Sequence, residues 1–254
     1  YTKIQDAIDN ASNGDTVFVF NGTYYENVVI DHRIYLVGED RNGTIIDGSG
    51  SGDVIDIAAD GVRIENFGIR NGSGVYAGVK ISHRNDNSIY NCIITNNNGY
   101  YSIHLDYSNN NSIYDCIITN NNYGIRLDYS NNNSIYDCNI TNNNQYGIMV
   151  YSSNNNSIYD CNITNNNYGI RLYSSSHNSI YNCIITNNNY HGIEVYHSNN
   201  NSIYDCNITN NNYGIKVYHS NNNSIYDCNI TNNNYGIRLD YSNNNSIYDC
   251  NITN

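Results

Sequence analysis

Residues 221–242 read NNNSIYDCNITNNNYGIRLDYS, and close variants of that string fill most of the chain. A faithful repeat of this length constrains the fold more than any other feature, because a unit this short cannot bury an apolar face alone and must stack on its copies. Cysteine marks each lap: Cys92, Cys116, Cys138, Cys161, Cys183, Cys206, Cys228 and Cys250 return every 22 to 24 residues. The longer laps share one cause. The common NNNYGI becomes NNNGYYSI at Asn96, NNNQYGI at Asn142 and NNNYHGI at Asn187. Insertions confined to one turn mark it as solvent-facing, with the rest of the lap held in register.

Inside a lap the apolar residues alternate in short bursts. Ile135, Cys138 and Ile140 precede the turn, and Ile148 and Val150 follow it. Cys138-Asn139-Ile140-Thr141 and the GIRL at Gly124 both have the period of two that means strand. No helical spacing is present, and Asn triplets suit corners, where Asn tolerates the left-handed conformation and can bond the same amide one coil away. The expected fold is all-β, a parallel β-helix of coils of about 22 residues. At about 4.8 Å per coil, roughly nine coils make a rod on the order of 40 Å long.

The first fifty residues read differently, as an N-terminal cap with the first strands. TKIQDAIDNASNG sets Ile4, Ile8 and Ala11 on one helical face, with Thr2 and Gln5 at capping-box spacing and Asn13-Gly14 as a stop. Strand-like DTVFVF, ENVVI, RIYLVG and GTIID follow, and residues 51–254 continue the same single domain as repeats. A helix over the first coil would protect its open edge.

IQDAIDNASNGDTVFVFNGTYYENVVI, IYLVGEDRNGTIIDGSGSGDVI and the laps of NSIYDCNITNNNYGIRL together resemble the NosD-like, right-handed parallel β-helix proteins of the pectin-lyase-like superfamily. Within that group the chain is most similar to long repeat proteins of archaeal, especially methanogen, cell surfaces. The resemblance covers essentially the whole chain and implies a right-handed β-helix. It departs at the cysteines, where the family usually carries Asn. The family name also advertises copper delivery and sugar processing, neither of which follows from the repeat.

Composition narrows the function. The chain has 254 residues, a formal charge of −12, 28 Tyr, no Pro and no Trp. That acidity, with no cluster of Lys and Arg in sequence, argues against nucleic-acid binding. No apolar run reaches the 18 or so residues that span a bilayer. The chain opens at Tyr1 rather than Met, as an excised or processed segment would, and its spacing of cysteines is neither a CxxC zinc site nor a small disulfide scaffold.

Several repeated positions are candidate sites. Asp115, Asp137, Asp160, Asp205, Asp227 and Asp249 share one position, interrupted by Asn91 and Asn182, and a second position reads Asp106, Asp128, Asp240. The first set is a candidate calcium ladder, since calcium takes carboxylates and amide carbonyls together. The alternatives are a solvated ladder or a catalytic carboxylate cluster of the kind polysaccharide enzymes use. His197 and His219 occupy one position in adjacent coils, either as a metal pair or as exposed turn residues. The cysteines form an inward ladder, as small buried hydrophobes, as disulfides or as a soft-metal column.

Tyr114, Tyr136, Tyr159, Tyr181, Tyr204 and Tyr226 point outward with Tyr90 and Tyr248. A second line is expected from Tyr107, Tyr129, Tyr151, Tyr173, Tyr196, Tyr218 and Tyr241, and a third from Tyr123, Tyr146, Tyr168, Tyr190, Tyr213 and Tyr235. Such lines can stack along the rod, join rods sideways or stack sugar rings. Asn139, Asn162, Asn207, Asn229, Asn21 and Asn42 begin N-x-S/T sequons and are candidate glycan acceptors.

The first expectation is a non-enzymatic extracellular or cell-surface module, structural or adhesive, self-associating or packed against neighbouring envelope subunits, with no cofactor unless calcium binds. A C-terminus that stops in mid-lap at Asn254 fits a longer array or an ordered fibre. The alternatives are a polysaccharide-binding or -processing β-helix and a copper-handling accessory of the NosD type. An ice-binding face built on the N-x-T rows is a further reading, spoiled where Ile replaces the Asn.

Overall fold

In a computed structural model of the protein, residues 1–97 and 99–253 are described; Asn98, in the first of the expanded turns, and Asn254 lie outside the described residues. Three parallel sheets run along the molecule, with eleven, eleven and ten strands. Every strand pairs with its counterpart one coil away rather than with its neighbour in the chain. The result is a right-handed β-solenoid, the hand expected where parallel strands are joined by crossovers. It has about eleven coils, not nine, because pairing already starts at Thr16–Val19, ahead of the cysteine signature.

The first sheet ends with Ser246–Tyr248 and the second with Asn251–Thr253; most of their strands are three residues long. From Ala77–Ser82 onward the third sheet has six-residue strands such as Tyr123–Asp128 and Tyr168–Tyr173. Register keeps like over like: Ile135 on Ile158, Ile140 on Ile163, Ile148 on Ile170, Val150 on Leu172. These side chains are buried and form one continuous apolar column.

Corners follow one rule. A residue with positive φ turns the chain, and the next residue points inward: Asp137 (φ 52) before Cys138, Asn142 (φ 56) before Asn143, Ser152 (φ 47) before Ser153, Asn155 (φ 57) before Asn156. The inward residue then satisfies a carbonyl two positions back. Cys138 Sγ donates to Tyr136 O at 3.2 Å, Asn121 Nδ2 to Thr119 O at 2.9 Å, Ser153 Oγ to Tyr151 O at 2.7 Å and Asn111 Nδ2 to Asn109 O at 3.0 Å. The buried Asn columns also bond coil to coil, as Asn133 Nδ2 does to Asn156 Oδ1 at 3.1 Å. Polar groups buried at corners are costly unless paired, and the repeat pairs them from Asn97 onward, whereas Asn87 Nδ2 at the start of its column has no partner.

The cap is a helix of six residues, Ile4–Asp9, with Ile4 and Ile8 buried on the first coil. Its N-cap is Lys3, with no capping side chain of its own, so the expected Thr2/Gln5 box does not form. The Glu26 carboxylate accepts from Ile4 N and Gln5 N at 2.8 and 3.1 Å instead. The helix ends at Asn10, earlier than Asn13-Gly14, and Gly14 (φ 93) serves the turn beyond it.

Candidate functional site

The repeat loses its uniformity on the outer face of the third sheet. The middle outward position of its strands reads Lys80, His104, Arg126, Met149, Arg171, Glu194, Lys216, Arg238 in successive coils. Every Lys and Arg beyond Arg84 stands in this one column. The signal lies in the sequence, in the varying residue of each YGIxL lap, and is masked there by the surrounding uniformity.

Tyrosines flank the column on both sides, in an arrangement that corrects the expected lines. On one side stand Tyr101, Tyr123, Tyr146, Tyr168, His191, Tyr213 and Tyr235. His191 takes the tyrosine's place because the NNNYHGI insertion displaces Tyr190 into the turn. From Tyr123 onward each strand there places Gly after this position; a Cβ at Gly169 would meet the carbonyl oxygen of Gly192 in the next coil. On the other side the supposed second line splits in two. Tyr151, Tyr173, Tyr196 and Tyr218 end their strands in the column of Asp106, Asp128 and Asp240, whereas Tyr107, Tyr129 and Tyr241 sit one residue later at the positive-φ corner. The cause is the local wording: LDYS places Tyr one step later than VYSS, LYSS or VYHS.

Two charged clusters lie between these rails. In the first, Asp128 is 8% exposed and its Oδ2 meets His104 Nε2 at 2.8 Å and Arg126 Nε at 2.7 Å. Burial pushes this carboxyl up, but the hydrogen bonds from His104 and Arg126 outweigh it and hold Asp128 below the usual range. The Tyr101 ring centre is 4.4 Å from that of His104, and burial pushes the Tyr101 phenol up.

In the second cluster Glu194 is 5% exposed. Arg171 Nε lies 2.8 Å from Oε2, close enough for an ion pair though out of line for a hydrogen bond, and His191 Nδ1 and Lys216 Nζ lie 3.5 and 4.0 Å from Oε1. Against the cost of burial, His191, Arg171 and Lys216 keep Glu194 below the usual range. Tyr168 and Tyr213 stand edge-on to His191, each at 5.1 Å, and the Arg171 guanidinium lies 5.2 Å from the Tyr173 ring centre. A strip of aromatic faces with guanidinium and carboxylate groups between them can stack sugar rings and bond their hydroxyls.

The other candidate residues lie elsewhere. Asp115, Asp137, Asp160, Asp205, Asp227 and Asp249 are exposed at positive-φ corners between the first and second sheets. Burial, with repulsion from Asp115 and Asp160, pushes Asp137 up. Cys92 through Cys228 are buried and Cys250 is partly so, all as free thiols. Burial pushes Cys92 and Cys116 well above the ordinary thiol value. Tyr114, Tyr136, Tyr159, Tyr181, Tyr204 and Tyr226 belong to one parallel stack on the first sheet, with ring centres 4.8 to 4.9 Å apart between them. Asn139, Asn162, Asn207 and Asn229 are exposed in an outward row of the second sheet, where Asn229 Nδ2 donates to Asn207 Oδ1 at 2.9 Å. Asn21 and Asn42 are exposed near the cap.

Residues 8–188 match the sequence profile of the periplasmic copper-binding protein NosD, well over half of the chain. The chain belongs to the NosD family. Residues 157–254 also match the right-handed β-helix region. No curated protein matches this NosD-family chain in sequence. Among solved structures it is similar to the A-module of an Azotobacter vinelandii mannuronan C-5 epimerase, with a TM-score of 0.84 at 18% identity over 98% of this chain and 90% of that one. It is also similar to the ORF18 protein of Geobacillus virus E2, at 0.82 and 19% over 97% and 57%. The catalytic domain of a GH87 α-1,3-glucanase, in complex with tetrasaccharides, matches at 0.71 and 14% over 99% and 64%. At such identities these likenesses establish the fold.

The NosD description raises copper, and the donors present do not fit it. His197 and His219 stack face to face, with centres 5.1 Å apart and planes 2° apart, so their in-plane lone pairs run parallel instead of converging. Cys116 and Cys138 donate to the carbonyl oxygens of Tyr114 and Tyr136, and burial holds the Cys116 thiol well above the ordinary value, which does not suit a thiolate ligand. Among the described residues no group of three or more His, Cys, Asp or Glu could hold an ion. None of their helices is long and apolar enough to cross a membrane.

Proposed function

We propose that this NosD-family β-helix is a polysaccharide-binding module acting outside the cytoplasm, with the outer face of the third sheet as its binding strip. One observation carries the reading: every Lys and Arg beyond Arg84 stands in a single column between aromatic rows, while the other two faces repeat almost without variation. A purely structural rod has no need of such a column. Self-stacking accounts for the tyrosines of the first sheet but not for buried ion pairs under an aromatic strip.

The likeness to a mannuronan epimerase and an α-1,3-glucanase favours polysaccharide over a scaffold role. An adhesive cell-surface function is compatible with binding alone. Catalysis is the second reading, favoured by the His104–Asp128 contact, a carboxylate-oriented imidazole beside a phenol. The test is retention on a panel of immobilised polysaccharides, with product analysis of each incubation. The reading expects retention that Arg171→Gln weakens. Cleavage or epimerisation would establish the catalytic version, and no retention on any polymer would return the protein to a structural role.

A further inference from the structure

We propose that the third-sheet strip selects a strictly alternating acidic polysaccharide, one acidic sugar to one uncharged sugar, lying parallel to the rod axis. The inference rests on the polysaccharide reading and adds the ligand's charge pattern and direction.

Along the axis the middle column runs Arg126, Met149, Arg171, Glu194, Lys216. Cations occupy every second coil, and an apolar or anionic side chain occupies each coil between. Coils about 4.8 Å apart put successive cations about 10 Å apart. An extended chain of pyranoses advances by roughly one coil per sugar, so acidic groups on alternate sugars meet Arg126, Arg171 and Lys216 in turn. A polymer with a carboxylate on every sugar would set one against Glu194 and leave another over Met149 without a partner. Glu194 is deeper than the cations and already paired, so the surplus carboxylates of such a ligand lose their water without gaining a partner, and that cost selects against it.

Depth decides which charge the strip presents. Glu194 has 7% of its side chain exposed, beneath Arg171 at 20% and Lys216 at 26%. An arriving anion therefore meets guanidinium and ammonium groups first. Around Arg126 the balancing Asp128 is likewise the deeper partner and is shared with His104. The rows containing Tyr146 and Tyr168 on one side and Tyr151 and Tyr173 on the other confine a sugar chain to the axial direction. Elsewhere the molecule carries the excess negative charge of a −12 chain, which repels an acidic polymer from the other faces. The alternation ends at Lys216, since Arg238 follows one coil later and pairs with Asp240 at 2.8 Å.

The test is calorimetric titration with three oligosaccharides of equal length: alternating uronate and N-acetylhexosamine, a homouronan, and a neutral glucan. The alternating oligomer should bind about tenfold tighter than the homouronan, the worth of one hydrogen bond to a charged group. Arg171→Gln should cost the alternating oligomer about tenfold, and Glu194→Gln should narrow the gap by raising homouronan affinity. Thermal melts verify folding, and Lys216→Gln, at the more exposed position, replaces any variant that does not fold. Equal or tighter binding of the homouronan or the glucan overturns the alternation and leaves polysaccharide binding standing. Absence of binding to all three overturns both.

Discussion

Cys161 Sγ donates to the carbonyl oxygen of Tyr159 at 3.2 Å, and the same bond recurs from Cys92 to Cys206 at 3.2 to 3.3 Å. The thiol does at its corner what Asn and Ser do at the others: it follows a positive-φ residue, points inward and satisfies the carbonyl two positions back. Cysteine adds a small apolar body to that role.

Cys161→Ala removes both the body and the donor. It should destabilise the protein by about 1 kcal/mol or more, read as a shift in the denaturant midpoint. Thiol labelling should be slow for the buried cysteines in the native state and complete after unfolding. Rapid native labelling would contradict the buried column.

The Asp ladder gives a pH test. Asp137 has its pKa raised in the folded state by burial and by Asp115 and Asp160, so its contribution is favourable at low pH and is lost as pH rises through the folded value. Asp137→Asn should therefore raise the melting temperature at neutral pH and leave it unchanged in acid, where Asp137 is protonated. An equal gain at both pH values would show that charge is not the cause.

The helix cap rests on one distant carboxylate. Glu26→Ala strands the Ile4 and Gln5 amides and should cost about 1 kcal/mol, the usual worth of a lost N-cap. Thr2→Ala should cost almost nothing, because Thr2 makes no cap bond. Reversed effects in chemical denaturation would restore the local capping box.

Insertions separate turn from strand. Three Gly/Ser residues after Asn167 should be tolerated, since the expanded turns at Gln145 and Tyr190 add residues just there and hydrogen-bond to the coil before. The same insertion after Cys161 would shift Ile163 off the core face and break its pairing with Ile140 and Ile185. Comparing thermal stability of the two variants checks the register.

The sequence by itself determined the β-helix, the alternation of strands and the inward place of Ile135, Cys138 and Ile140, because a period of two inside a 22-residue repeat has one way to bury its apolar set. Local wording also located the indel-tolerant turn. Only the tertiary structure decided which residues of different coils share a column. Tyr129 and Tyr151 look equivalent along the chain, yet Tyr151 lies opposite Asp128, because hydrogen-bond register, not sequence resemblance, sets the partner. The same holds for the helix cap, supplied by Glu26 from the turn after strand Gly22–Tyr25, and for the strip itself. Arg171, Glu194 and Lys216 are 22 or 23 positions apart and become one site through coil stacking, which turns a step of one repeat into a step of one strand spacing.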